Sequence, residues 1–158
     1  MNFVVYHSGY EAGNSEGPFD PRSAAHQGID RLLGSMQGAG VVAGENVYAE
    51  LGSTWFNLMR SPEDAAHALG KLLKHVGPDN ILWGTDSIWY GSPQDQIQAF
   101  RAFSISEELQ EKHGYPPLTP DVKNKILGGN AMRLYGIDVP TERCDFTRQE
   151  LEQIRAGA

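Results

Sequence analysis

Short apolar runs alternate with longer amphipathic stretches along most of this chain. Three runs rich in β-branched and aromatic residues, at residues 3–6, 46–51 and 81–83, have the length of buried strands and end at polar or glycine residues. Between and after these runs, apolar residues recur every three or four positions, which is typical of helices with one buried face. The pattern therefore predicts three strand–helix units followed by further helices.

Local start signals place the helices. A capping residue followed by proline indicates a helix start at four positions, because proline lacks an N–H that the first helical turn leaves unpaired anyway. A capping box at residues 147–150 predicts a last helix. We expect helix starts at Asp20-Pro21, Ser61-Pro62, Ser92-Pro93 and Thr119-Pro120, further helices over residues 106–113 and 130–135, and helix ends at Gly77-Pro78 and Gly128-Gly129.

The order of elements predicts the fold class. Strands that alternate with helices form parallel sheets, because each helix carries the chain back to the edge from which the next strand starts. We therefore expect a single α/β domain over residues 1–158. In such sheets, functional side chains gather at the carboxyl ends of the strands. Those ends are residues 7–9, 51–54 and 84–87.

Composition and charge restrict the possible partners. The net charge of −7 argues against binding to nucleic acid or to an anionic membrane surface. No apolar run approaches the ~20 residues of a membrane span, and the first residues do not resemble a secretory signal. Cys144 is the only cysteine, which fits a reducing compartment. We expect a cytoplasmic protein that binds a small molecule.

Three polar residues at predicted strand ends are candidates for chemistry. His7 directly follows the first strand, where an imidazole can bind a metal, act as a base, or simply make a structural hydrogen bond. Asp86 follows the third strand, where a buried carboxylate needs a metal ion, a cationic partner or backbone N–H groups. Glu50 can face either side of the second strand, and we favour an exposed carboxylate or one paired at the rim.

Aromatic and histidine residues elsewhere have two interpretations each. Four aromatic residues just after strand ends can wall a small-molecule pocket or pack loops on the core: Trp55, Phe56, Trp89 and Tyr90. His67 shares a predicted helix face with Lys71 and Lys74, and we expect this face to be solvated. We expect structural roles for the remaining histidines, His26, His75 and His113.

Four segments resemble successive parts of one enzyme family. They are "VVYHSGYEAG", "NVYAELGST", "ILWGTDSIWYGSP" and "KNKILGGNAMRLYGI". Together they are similar to the amidohydrolase-2 family of metal-dependent hydrolases and decarboxylases, TIM-barrel enzymes related to aminocarboxymuconate-semialdehyde decarboxylase. The resemblance extends over residues 3–138.

The resemblance implies roles for individual residues. His7 would end the sixth barrel strand and act as a general base or orient the attacking water. Asp86 would end the eighth strand, bind the metal and be able to accept a proton. The metal implied is divalent, zinc or else manganese. Asn130 and Arg133 would be structural residues of the closing helix.

The chain also departs from the family pattern. The family places a His-x-His pair on its first strand and another histidine on its fifth, and this chain has no His-x-His. A full (β/α)₈ barrel needs roughly 200 residues or more. We therefore expect a partial barrel, consisting of the last three strand–helix units and the C-terminal helices, with at most two metal ligands, His7 and Asp86.

Two hypotheses on function follow. In the first, the chain belongs to a metal-dependent hydrolase or decarboxylase of a small organic substrate, and a partner chain supplies the remaining ligands. In the second, it is a catalytically inactive half-barrel that associates with itself through its exposed strands. The expected protein partner is accordingly either a second copy of this chain or an amino-terminal half-barrel.

Overall fold

A small parallel sheet lies at the centre of the fold. The structure is a computed structural model and describes residues 1–22, 27–138 and 147–157. Three parallel strands pair in the order β1 (Phe3–Val5), β2 (Val47–Glu50) and β3 (Ile81–Leu82). All three predicted strands are confirmed, each shorter than its apolar run by one or two residues. The α/β class is therefore correct, whereas a single domain over residues 1–158 stays a prediction.

Helices follow each of the three strands. A tight turn, Tyr6–Gly9, comes directly after β1. The helices are α1 (Ile29–Ala39), α2 (Gly52–Leu58), α3 (Pro62–His75), α4 (Ser87–Tyr90), α5 (Pro93–Ala102), α6 (Glu107–His113), α7 (Pro120–Asn124), a π-helical segment (Lys125–Gly129), α8 (Asn130–Tyr135) and α9 (Arg148–Ala156). No helix in the described ranges is both long enough and apolar enough to cross a bilayer.

Most of the predicted helix starts are confirmed. Ser92, Ser106, Thr119 and Thr147 each accept a hydrogen bond from a backbone N–H in the first turn of the following helix. The capping box between Thr147 and Glu150 is present. At the start of α3 the hydroxyl of Ser61 is used differently, because it donates to Asp64 Oδ2 at 2.7 Å.

Two predictions about helices are wrong, and helix α2 was missed. Pro21 lies in a turn, and α1 begins only at Ile29, after Gly28. Gly129 does not end a helix, because it adopts right-handed helical angles and the π-helical segment continues into α8. Helix α2 starts directly after β2 without a recognisable capping residue, so the sequence did not predict it. His26 and Cys144 lie outside the described residues.

One hydrophobic cluster joins the sheet to the surrounding helices. Ala49 and Ile81 of the sheet contribute to it, together with residues from α1, α2, α3 and α5. Trp55 is buried at its centre, edge-on to Phe100 at 5.2 Å between ring centroids, and donates its indole N–H to Gln96 O at 2.9 Å. This core fixes α2 against the carboxyl ends of the strands.

The polar face of α3 is buried, which corrects the expectation that it is solvated. Lys71 is only 1% exposed and forms ion pairs with Glu16 and, at 2.6 Å, with Asp30. His67 is also buried, with Nδ1 3.0 Å from the hydroxyl of Tyr115. Lys71 thus ties the loop after β1 and helix α1 to α3, and within this face only Lys74 stays exposed.

Candidate active site

The carboxyl ends of the three strands bring together three ionisable side chains. His7 Nδ1 lies 3.5 Å from Asp86 Oδ2 and 3.7 Å from Glu50 Oε2. Parallel pairing of β1, β2 and β3 places all three residues at one edge of the sheet. The His7 side chain is 41% exposed and that of Asp86 28%, so both are reachable from solvent. The two residues singled out from the sequence are therefore neighbours.

Backbone strain is concentrated at these residues. His7, Ser8 and Asp86 have φ of 55°, 52° and 49°, and no other described residue apart from glycine has a positive φ. Left-handed conformations are unfavourable for residues with a Cβ and persist where surrounding contacts enforce them. Two hydroxyls supply such contacts, since Thr54 Oγ1 donates to His7 O at 2.6 Å and Ser8 Oγ donates to Glu50 O at 2.8 Å.

Glu50 is buried at the centre of the site, so of the two positions favoured for it, exposed or paired at the rim, the exposed one is wrong. Its carboxylate accepts the backbone N–H of His7 at 2.9 Å and that of Gly52 at 2.7 Å. It fits because residues 52 and 84 are glycines. A Cβ at Gly84 would overlap Glu50 Oε1, and one at Gly52 would lie 2.6 Å from His7 Nδ1. Glu50 thus holds the ends of β1 and β2 together.

Ser53 links the two candidate catalytic side chains. Its backbone N–H donates to His7 Nδ1 at 3.2 Å, and its hydroxyl donates to Asp86 Oδ2 at 2.6 Å. The same hydroxyl lies 2.9 Å from the hydroxyl of Tyr90. Sequence reasoning missed Ser53 as a site residue, although it follows a strand end directly and that position was the available signal.

The four candidate wall aromatics occupy different environments. Trp55 belongs to the core and Trp89 is 78% exposed, so neither lines a formed pocket. Phe56 and Tyr90 stack at 3.7 Å beside Ser53, and the guanidinium of Arg60 lies 4.7 Å from the Phe56 ring centroid. The stack is linked to Asp86 through the hydroxyl of Ser53, which contacts both Tyr90 and Asp86.

The side chains of His7 and Asp86 are partly open to solvent at this edge of the sheet. A cavity of about 430 Å³ does exist, but Met36, Val41 and His75 are among its lining residues. It lies beside the loop that precedes β2, at the amino ends of the strands, and no member of the His7–Glu50–Asp86 cluster lines it. The cavity is therefore separate from the candidate chemistry.

The described residues do not fit a complete metal site. Within residues 1–22, 27–138 and 147–157, no group of three or more His, Cys, Asp or Glu residues is arranged to hold an ion. His7 Nδ1 and both oxygens of Glu50 already accept backbone N–H groups, which leaves Asp86 and the other ring nitrogen of His7. A catalytic zinc usually has three protein ligands, so we derive no chemical step through a metal from this chain alone.

The fold and the site define an α/β protein whose acid, imidazole and hydroxyl groups converge at the carboxyl ends of parallel strands. The chain belongs to the amidohydrolase family, because the family's sequence model matches residues 36–137, more than half of the chain. The matched region includes Glu50, Ser53 and Asp86, whereas His7 precedes it. Members of this family generally bind divalent metal ions.

A solved structure shows the same fold. It is a Pseudomonas putida protein provisionally described as a 2-pyrone-4,6-dicarboxylic acid hydrolase, with a TM-score of 0.51 and 20% sequence identity. The match covers 88% of this chain and 44% of that protein, so the chain spans less than half the length of this relative. At this identity the likeness concerns the fold alone. A comparison with curated proteins gives no match.

Proposed function

We propose that this chain carries part of the active site of an amidohydrolase-type enzyme that hydrolyses, or decarboxylates, a small organic substrate. The observation that carries the proposal is the 3.5 Å approach of His7 and Asp86 at the carboxyl ends of parallel strands. The proposal treats β1, β2, β3 and their following helices as the last three strand–helix units of a (β/α)₈ barrel. Family membership and the fold of the Pseudomonas putida protein support that architecture.

The side chains suit proton transfer and positioning. Asp86 is a partly exposed carboxylate that can accept a proton from an attacking water, and the hydroxyl of Ser53 holds one of its oxygens. His7 lies beside it and can bind the same water or an oxygen of the substrate. The stacked rings of Phe56 and Tyr90 offer an apolar surface for a planar substrate.

A divalent metal, zinc or else manganese, would use Asp86 as a ligand. Its other ligands would come from outside the described residues, either from an amino-terminal half-barrel or from a second copy of the chain. Such an ion lowers the pKa of bound water and polarises a substrate oxygen. Asp86 has one oxygen that accepts from Ser53, and its other oxygen makes no hydrogen bond to a described residue.

Metal content and turnover test this proposal. The full chain, together with any partner that co-purifies, is assayed for zinc and manganese and for turnover of small lactones, amides and carboxylic acids. We expect Asp86→Asn to weaken metal binding by about tenfold or more. Asp95→Asn, at an exposed position of helix α5, is the control and should change neither measurement. Metal that is stoichiometric and unaffected by Asp86→Asn would contradict the assignment of Asp86 as a ligand.

Exposed strand edges favour a second candidate, a non-catalytic half-barrel that associates with itself. Strands β1 and β3 are the edges of the described sheet, and Phe3 and Tyr6 at β1 are 52% and 74% exposed. Unpaired edges and exposed apolar side chains promote association. Sedimentation velocity distinguishes the candidates, since a monomer with one sharp melting transition argues against self-association.

A further inference from the structure

The ring nitrogen Nδ1 of His7 lies among three polar groups, but hydrogen-bonds to one of them. The backbone N–H of Ser53 donates to it at 3.2 Å. The nearest carboxylate oxygens lie farther away and have other donors, since Glu50 Oε2 accepts the backbone N–H of His7 and Asp86 Oδ2 accepts the hydroxyl of Ser53. The backbone N–H of Ser53 therefore determines the position of Nδ1, which acts as a hydrogen-bond acceptor.

This contact has a consequence for the protons of His7. A backbone N–H can only donate, so Nδ1 must offer its lone pair to Ser53. A neutral imidazole carries one ring proton, which then resides on Nε2. Nε2 makes no hydrogen bond to the described residues, and the ring is 41% exposed. In this tautomer, Nε2–H is a hydrogen-bond donor on the side of the ring that makes no hydrogen bond to the described residues.

The hydroxyl groups beside His7 form a directed chain that ends at Asp86. Ser53 has a single hydroxyl proton, and this proton goes to Asp86 Oδ2. The contact between Ser53 and Tyr90 at 2.9 Å therefore requires Tyr90 to donate. The stack of Tyr90 on Phe56 holds the phenol in place. Asp86 is the acceptor at the end of the chain.

We propose that Ser53 is a positioning residue whose backbone N–H holds His7, in its neutral form, with its proton on Nε2 and whose hydroxyl orients the carboxylate of Asp86. His7 then donates a hydrogen bond to an oxygen of the substrate or of the attacking water, and the proton released in the reaction goes to Asp86. This inference rests on the proposed function for its chemistry. Of the two roles that the family resemblance implies for His7, it selects the orienting one.

The tautomer of His7 can be measured without substrate or metal. The chain is labelled with ¹⁵N-histidine, and ring proton–nitrogen correlations are recorded about two pH units above the ordinary histidine pKa of ~6.5. The chain has five histidines, so the signals of His7 are identified by their loss in His7→Gln. We expect the proton on Nε2 in the wild-type chain. A proton on Nδ1 would overturn the proposal.

Two variants of Ser53 separate its backbone from its side chain. Ser53→Ala removes the hydroxyl and keeps the N–H, so His7 should retain the Nε2–H form. Ser53→Pro also removes the N–H, at the second residue of α2, where helices tolerate proline. There we expect a mixture of tautomers, and retention of pure Nε2–H in a folded Ser53→Pro chain would refute the role of Ser53.

If Ser53→Pro does not fold, a ring proton on Nδ1 of His7 in the wild-type chain or in Ser53→Ala would still overturn the proposal. The outcome is also independent of catalysis. Absence of metal and turnover would argue against the proposed function and leave the tautomer unchanged, whereas the wrong tautomer would refute this inference in an active enzyme.

Discussion

Replacement of Lys71 by methionine tests how the buried ion cluster contributes to the fold. Methionine fills most of the same volume but leaves Glu16, whose side chain is 4% exposed, and Asp30 without their cation. Removal of one partner from a buried ion pair typically costs about 3–5 kcal/mol, because the remaining charge is buried and unpaired. Domains are stable by only ~5–15 kcal/mol, so we expect a loss of roughly a fifth or more of the free energy of unfolding. The expected fall in Tm is roughly 6–20 °C.

The loss should also depend on pH in a predictable direction. Burial raises the pKa of Glu16 above its ordinary value, although the charge of Lys71 lowers it. In Lys71→Met the lowering contribution is gone, so the folded-state pKa of Glu16 rises further. A carboxyl with a raised folded-state pKa contributes stability below its unfolded pKa and loses it as the pH rises through the folded-state value. The variant should therefore be closer to wild type at pH 5 than at pH 7.5.

Urea denaturation followed by circular dichroism at the two pH values measures both effects. Lys74→Met, on the exposed part of the same helix, is the control and should change stability little. A second change, Glu16→Gln in the Lys71→Met background, should recover part of the loss and reduce the pH dependence of the difference from wild type. A Lys71→Met chain within about 1 kcal/mol of wild type at both pH values would refute the reasoning.

Two further predictions concern the site and the histidine cluster. Gly84→Ala should destabilise the chain by roughly 1–3 kcal/mol because the new Cβ displaces Glu50. The control is Gly38→Ala, at an exposed position in a helix, which should stabilise the chain slightly. Equal urea midpoints for the two variants would contradict this prediction. Burial, and then the charge of His113, lower the pKa of His67 in the folded chain. The contribution of His67 to stability is therefore present above the ordinary histidine pKa and is lost as the pH falls through the folded-state pKa. His67→Gln should therefore reduce the fall in Tm between pH 7 and pH 5, and an unchanged fall would refute this.

Local signals account for what the sequence predicted correctly. The three apolar runs and the capping residues at Ser92, Thr119 and Thr147 act within a few residues, so they are visible without the fold. His7 and Asp86 were identified because the carboxyl ends of parallel strands meet at one edge, which follows from the order of elements alone. That they are functional residues stays a prediction.

Long-range contacts account for what the sequence could not predict. Glu50 is buried because Gly84, which follows β3, leaves room for its carboxylate. Lys71 is buried because Glu16, 55 residues earlier in the chain, covers it. His67 and Lys71 on one helix face are typical of a solvated face. That this face is buried becomes visible only from the position of the loop after β1. Likewise, the sequence around Gly129 contains no local signal that distinguishes a helix end from a π-helical segment.

The left-handed backbone at His7, Ser8 and Asp86 restricts how this site can change in evolution. Side chains branched at Cβ are strongly disfavoured at such angles, whereas glycine and asparagine tolerate them. A related chain that loses its chemistry but keeps its fold should therefore carry glycine or asparagine at these positions far more often than valine or threonine. Substitutions at these three positions thus offer a way to separate active members of the family from inactive ones by sequence.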